Sequence, residues 1–223
     1  MSVVIGAGFA LLGVLLGFIS LASQSVQEVR ELPPEDVRDA RQVYFVKGVE
    51  APAATGWRTV RTALEEETPG QYTLTEGELN AWARSQMVVE RPRGPTAEGA
   101  EGSAPTSLLG LSVHVSGLNF NLEGDRLQMG AYVEFPSLAR GKRIIYQVRG
   151  RVRTAAGGGL RFVPEEGTFG RAPVVQIPLV GPLFHRALAH FYRSTPEARA
   201  LAEHWSAIDT VALDDGELAL TLR

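Results

Sequence analysis

Apolar residues crowd the start of the chain and later thin into strict alternation. Val3 to Ala22, VVIGAGFALLGVLLGFISLA, contains no charged side chain. A helix of roughly 20 such residues matches a bilayer core of about 30 Å and satisfies its own backbone hydrogen bonds inside lipid. The run therefore predicts a transmembrane anchor within residues 1–22, with the lipid bilayer as partner of residues 3–22. Two other readings compete. Val3-Val4-Ile5-Gly6-Ala7-Gly8-Phe9-Ala10 imitates a strand entering G-x-G-x-x-G, but Leu11 stands where the third glycine belongs, and no βαβ series follows. A cleaved signal peptide would use Ser20-Leu21-Ala22 as its small-residue site. Against it, no Lys or Arg precedes the run, which also exceeds an h-region of roughly 7–15 residues. Arg30, Arg38 and Arg41 beyond the run do not fix its orientation, because long domains translocate largely regardless of charge.

Residues 23–42 are polar, carry both charge signs and contain Pro33-Pro34, which breaks any helix leaving the membrane. They read as a stalk before a globular domain over 43–223. Val43-Tyr44-Phe45-Val46 reads as a short strand. Trp57, Val60, Arg61 and Leu64 mark one helix edge. Thr75 and Glu78 form a capping box that opens a second helix, with Leu79, Trp82, Ala83 and Met87 on one face. Residues 91–107, RPRGPTAEGAEGSAPTS, offer no large apolar side chain and read as a mobile loop.

From Leu108 the period becomes two. Leu111, Val113 and Val115, then Leu118, Phe120 and Leu122, form one strand with a bulge or bend at Gly117. After a turn at Gly124 come Leu127, Met129, Ala131, Val133 and Phe135, then Ile144, Tyr146, Val148, Gly150 and Val152, then Leu160 to Val163. Gly150 suggests curvature or close backbone approach. Glu165-Glu166, between Pro164 and Gly167, reads as a turn. Val180, Leu183, Phe184, Leu188, Phe191 and Tyr192 share a helical face. A further helix begins at Ser194-Thr195-Pro196. Ile208 to Leu213, Asp214-Asp215-Gly216 and Leu218, Leu220, Leu222 close the chain as a hairpin. The expected fold is α+β: an N-terminal transmembrane helix plus one domain with a curved antiparallel sheet packed on α-helices.

Composition narrows the function. The chain has 223 residues, 44% hydrophobic and 21% charged, with a net charge of −3. No basic stripe with interleaved aromatics appears, so nucleic acid is not an expected partner. The absence of Cys excludes a lipobox and removes disulfides as a guide to compartment. His114, His185, His190 and His204 do not form H-E-x-x-H, and His185 and His190, five apart, do not share a helix face. Neither G-x-S-x-G nor a P-loop is present. No catalytic residue, metal ligand or cofactor is expected, and the protein reads as non-enzymatic.

The segment Tyr72-Thr73-Leu74-Thr75-Glu76-Gly77-Glu78-Leu79-Asn80-Ala81-Trp82 resembles the helix start of small bacterial envelope proteins of the YpmS-like and YceB-like kind. Alternating strands, Gly167-Thr168-Phe169-Gly170, Ile177-Pro178-Leu179, a helix and Asp215-Gly216-Glu217-Leu218 follow in the same order. That resemblance covers roughly 57–223 and implies a membrane-anchored domain of the tubular lipid-binding (TULIP, BPI-like) type on the extracytoplasmic side. It departs from the pattern in lacking a lipobox and in the length of the 91–107 loop. Val180, Leu183, Phe184, Leu188 and Phe191 are then the candidate lining of an apolar groove for lipid or another apolar ligand. A scaffold with a filled core would need the same alternation.

Overall fold

Antiparallel pairing follows the period-two segments. In the computed structural model the described residues are 13–14, 16–87, 106–108, 111–135, 143–156, 159–175, 203–214 and 216–223. They form a mixed α+β protein dominated by antiparallel sheet, with few helices. A six-stranded sheet runs in sequence order through β4 (Thr106–Leu108), β5 (Leu111–Glu123), β6 (Arg126–Glu134), β7 (Arg143–Thr154), β8 (Leu160–Phe169) and β9 (Ala172–Pro173). A three-stranded sheet has the order β10 (Ile208–Asp214), β11 (Glu217–Leu222), β3 (Gly70–Thr75). β1 (Gln27–Val29) and β2 (Tyr44–Val46) pair in parallel.

Gly117 and Gly150 both sit at breaks in strand register. Gly117 has φ +61, and the β5–β6 register shifts between Ser116 and Asn119. At Gly150 a Cβ would meet the Val163 carbonyl oxygen at 2.2 Å, and the β7–β8 register shifts there too. Bulges of this kind bend a strand and increase its twist. The second shift overturns the turn expected at Glu165-Glu166: both lie inside β8, where Pro164 opposes Gly150 and Glu166 opposes Arg149. A bulge tolerates Pro because the ladder hydrogen bond is already interrupted.

Residues 16–22 are helical (α1), followed by α2 (Gly56–Glu65) and α3 (Glu76–Met87). In α2, Trp57, Val60, Ala63 and Leu64 are buried. Arg61, expected on that edge, instead pairs with Glu65 one turn on, at 2.7 Å. The helix ends in a Schellman turn, Thr68 N–H to Ala63 O and Glu67 N–H to Leu64 O, with Glu67 at φ +51 where glycine is usual. The capping box opens α3: the Thr75 amide donates to Glu78 Oε2 at 2.9 Å, and the Glu78 amide donates to Thr75 Oγ1 at 3.3 Å. β3, just before it, is a strand that the helical reading of this stretch does not predict.

Two apolar clusters sit at opposite ends of one face of the large sheet. The first joins Trp57, Val60 and Leu64 to Leu74, to Leu218, Leu220 and Leu222, and to Leu122, Leu127 and Val152. The second joins Ala22 to Val133, Tyr146, Val148, Phe169, Ala172 and Val174. Among the described residues no helix is long and apolar enough to cross a membrane; residues 1–12 and Leu15 of the expected anchor lie outside them. Within 23–42, expected as a stalk, Gln27–Val29 pairs as β1 and Glu35–Val37 forms a 3₁₀ turn. The end of the expected 91–107 loop, from Thr106, is β4; the remainder lies outside the described residues.

Candidate functional site

The cross-strand register aligns Leu127, Met129, Ala131 and Val133 of β6 with Gly150, Val148, Tyr146 and Ile144 of β7. Phe120 and Leu122 of β5 and Phe162 of β8 fall on the same face. From Ile144 to Val152 this apolar face extends about 27 Å, eight residue steps along a strand. Its ends are closed by the two clusters. Between them lie Met129 and Phe162, which pack against both clusters while remaining only half-buried. Burial pushes the Tyr146 hydroxyl above its ordinary pKa, consistent with an apolar setting.

The motif carrying the family resemblance holds the edge of this sheet. Asn80, 1% exposed, imitates a neighbouring strand: its amide donates to the Phe120 carbonyl at 2.8 Å, and its Oδ1 accepts from the Phe120 amide at 2.7 Å. The same amide donates to Val49 O at 3.0 Å. One turn earlier, Glu76 accepts from the Leu122 amide at 2.7 Å and from the Val49 amide. Residues at i and i+4 on α3 thus occupy the β5 edge left open beside the bulge. Sequence reasoning identified the capping box but missed this clamp. An acidic residue and an asparagine four apart on a helix were its only trace.

The opposite face lies under β2. Gly130 leaves space for the Phe45 ring, which a Cβ would meet at 2.1 Å. Gln147 donates to Tyr44 O at 3.1 Å, and Gln128 donates more weakly to Val46 O at 3.4 Å. Glu28 joins Lys47 in an ion pair and accepts from the Tyr132 hydroxyl at 3.0 Å. Burial alone would raise the Glu28 pKa. Hydrogen bonds from Lys47 and Tyr132, with the charges of Lys47 and Arg143, outweigh it and hold the carboxyl below its usual range. The Glu28 hydrogen bond raises Lys47, while burial and then Glu28 raise Tyr132.

Other chemistry is sparse. Trp57 and Trp82 stack with centroids 6.1 Å apart, and the Trp57 indole donates to Ala54 O. His204 meets Glu67 at 3.2 Å. An open groove of about 410 Å³ is lined by Arg58, Thr59, Thr62, Ala63, Glu66, Thr68 and Tyr72, none of them from the apolar sheet face. Among the described residues, no group of three or more His, Asp or Glu side chains is placed to hold a metal ion.

Val180, Leu183, Phe184, Leu188 and Phe191 lie outside the described residues, as do His185 and His190. No family model matches the chain, and no curated protein matches its sequence. The likeness to YpmS-like and YceB-like proteins thus stands on the quoted motifs alone.

Proposed function

We propose that the protein is a membrane-anchored, non-enzymatic module of the cell envelope. Residues 3–22 hold it in the bilayer, and its domain lies outside the cytoplasmic membrane. That domain binds lipid or another apolar ligand along the apolar face of the large sheet. One observation carries the ligand reading: Met129 and Phe162, which pack against both clusters on that face, remain half-buried. A ligand there would remove large apolar side chains from water, at about 25 cal/mol per Å². Val180, Leu183, Phe184, Leu188 and Phe191 are the candidate residues for its other side. The charge-free run of residues 3–22 supports the anchor, and the motif resemblance supports the outward orientation. An envelope scaffold with a filled core is the second reading, favoured by the two clusters that close the ends of the same face.

Native mass spectrometry of the purified full chain tests the ligand. The expected result is a bound phospholipid mass that returns when delipidated protein meets vesicles. A folded chain that stays ligand-free after that exposure favours the scaffold. Protease added to spheroplasts is expected to digest the domain while a cytoplasmic marker survives. A protected domain overturns the outward orientation.

A further inference from the structure

The last turn of α1 is built into the domain. Ala22 is 6% exposed and belongs to the cluster formed by Phe169, Ala172 and Val174. The Arg171 amide donates to Leu21 O at 3.1 Å. Gly170, at φ +57, leaves room for the Ala22 backbone, whose carbonyl oxygen a Cβ would meet at 2.1 Å. The turn is also closed internally: the Ser23 amide donates to Ile19 O at 2.9 Å, and the Ser23 hydroxyl donates to Ser20 O at 2.8 Å. After residues 23–26 the chain is fixed again, as β1 pairs with β2 on the opposite face of the sheet. By contrast, Val14, Leu16 and Ile19, on the preceding turns, are more than half exposed.

From this geometry we propose that the apolar segment is retained, and that its last turn clamps the β8–β9 corner against a phospholipid bilayer. The inference rests on the reading of residues 3–22 as a membrane anchor. A helix whose exposed Val14, Leu16 and Ile19 lie in lipid brings its end to the headgroup level, and Gly170 and Arg171 come with it. Removal of residues 1–22 would strip a core side chain and the acceptor of the Arg171 amide. The apolar sheet face would then begin at the membrane surface and run away from it, with the β5–β6 turn at its far end.

The chain has no Cys, so single labels are clean. The full chain, as Arg171→Cys or Asp125→Cys, is labelled with a fluorophore and reconstituted in phosphatidylethanolamine/phosphatidylglycerol vesicles containing a headgroup-nitroxide lipid. Intact mass of membrane-derived protein is expected to include residues 1–22. Quenching at position 171 is expected to exceed that at 125 by at least threefold. A mature chain beginning at Ser23 overturns retention. Equal quenching at both positions in an intact, vesicle-bound chain overturns the clamped corner while sparing the anchor. An intact chain that does not partition into vesicles overturns the anchor reading, and the inference with it.

Discussion

On one face of the six-stranded sheet, Val133, Tyr146, Val148 and Phe169 meet other apolar side chains. On the opposite face, Gln128 and Gln147 reach the backbone carbonyls of β2, and Glu28, Lys47 and Tyr132 tie the β1–β2 strap down. The β5 edge is held in a third place by Asn80 and Glu76. Apolar cover is non-directional and scales with area, so it tolerates changes of shape that conserve volume. Polar cover is counted group by group: a buried carbonyl or amide that loses its partner costs about 1–3 kcal/mol whatever fills the space. A ligand surface is therefore better placed on the first face, where occupants can exchange without breaking a defined set of bonds.

The largest effect is expected on the apolar face. Phe169 is 6% exposed and meets Phe135 edge-on, with centroids 5.9 Å apart. Phe169→Ala should cost about 3–5 kcal/mol in urea unfolding, the range for removing a buried aromatic ring. A loss under about 1 kcal/mol would mean that this end of the face is not structural core. Next comes the edge clamp. Asn80→Ala strands the Phe120 amide and carbonyl and the Val49 carbonyl, for about 2–4 kcal/mol. Asn80→Leu keeps the volume and should cost nearly as much. A neutral leucine variant would erase the distinction between the two kinds of cover at this edge. Gln147→Ala removes the partner of Tyr44 O, and a loss of about 1–2 kcal/mol is expected in the same assay. Unchanged stability would show that the Gln147–Tyr44 bond does not help to hold the strap.

The same distinction decides what was legible in the sequence. Apolar periodicity marked β6, β7 and the closing hairpin because burial acts on every second residue of a strand. Gly117 and Gly150 announced the bulges because only glycine fits a positive φ or so close a backbone. The capping box was visible because both partners lie within four residues. Asn80 and Phe120, in contrast, are 40 positions apart and leave no local pattern. β1 reads Gln-Glu-Val, and its pairing with β2 is supported by side chains from the sheet beneath. β3 fills the first residues of a motif whose legible signal is the start of α3. Glu165-Glu166 looked like a turn because a bulge admits the same residues. The candidate groove residues on the 180–191 segment followed from helical periodicity and fall outside the described residues.

The smallest effect belongs to the Glu28–Lys47–Tyr132 cluster. Glu28 and Lys47 side chains are 35% and 44% exposed, so solvent and salt screen their pairing, and about 1 kcal/mol is its ceiling. The folded-state pKa of Glu28 lies below its unfolded value. Its contribution is therefore present above the unfolded value and is lost as pH falls through the folded one. Lys47 and Tyr132 are raised, so their contributions hold at neutral pH and are lost as pH rises through their folded values. Glu28→Gln should open a gap in urea midpoint at pH 7 that closes only in acid, as pH falls through the lowered pKa of the wild-type carboxyl. The gap should also narrow in 1 M salt. A gap that widens in acid would show that the strap prefers a protonated Glu28, and that burial rather than Lys47 governs this carboxyl.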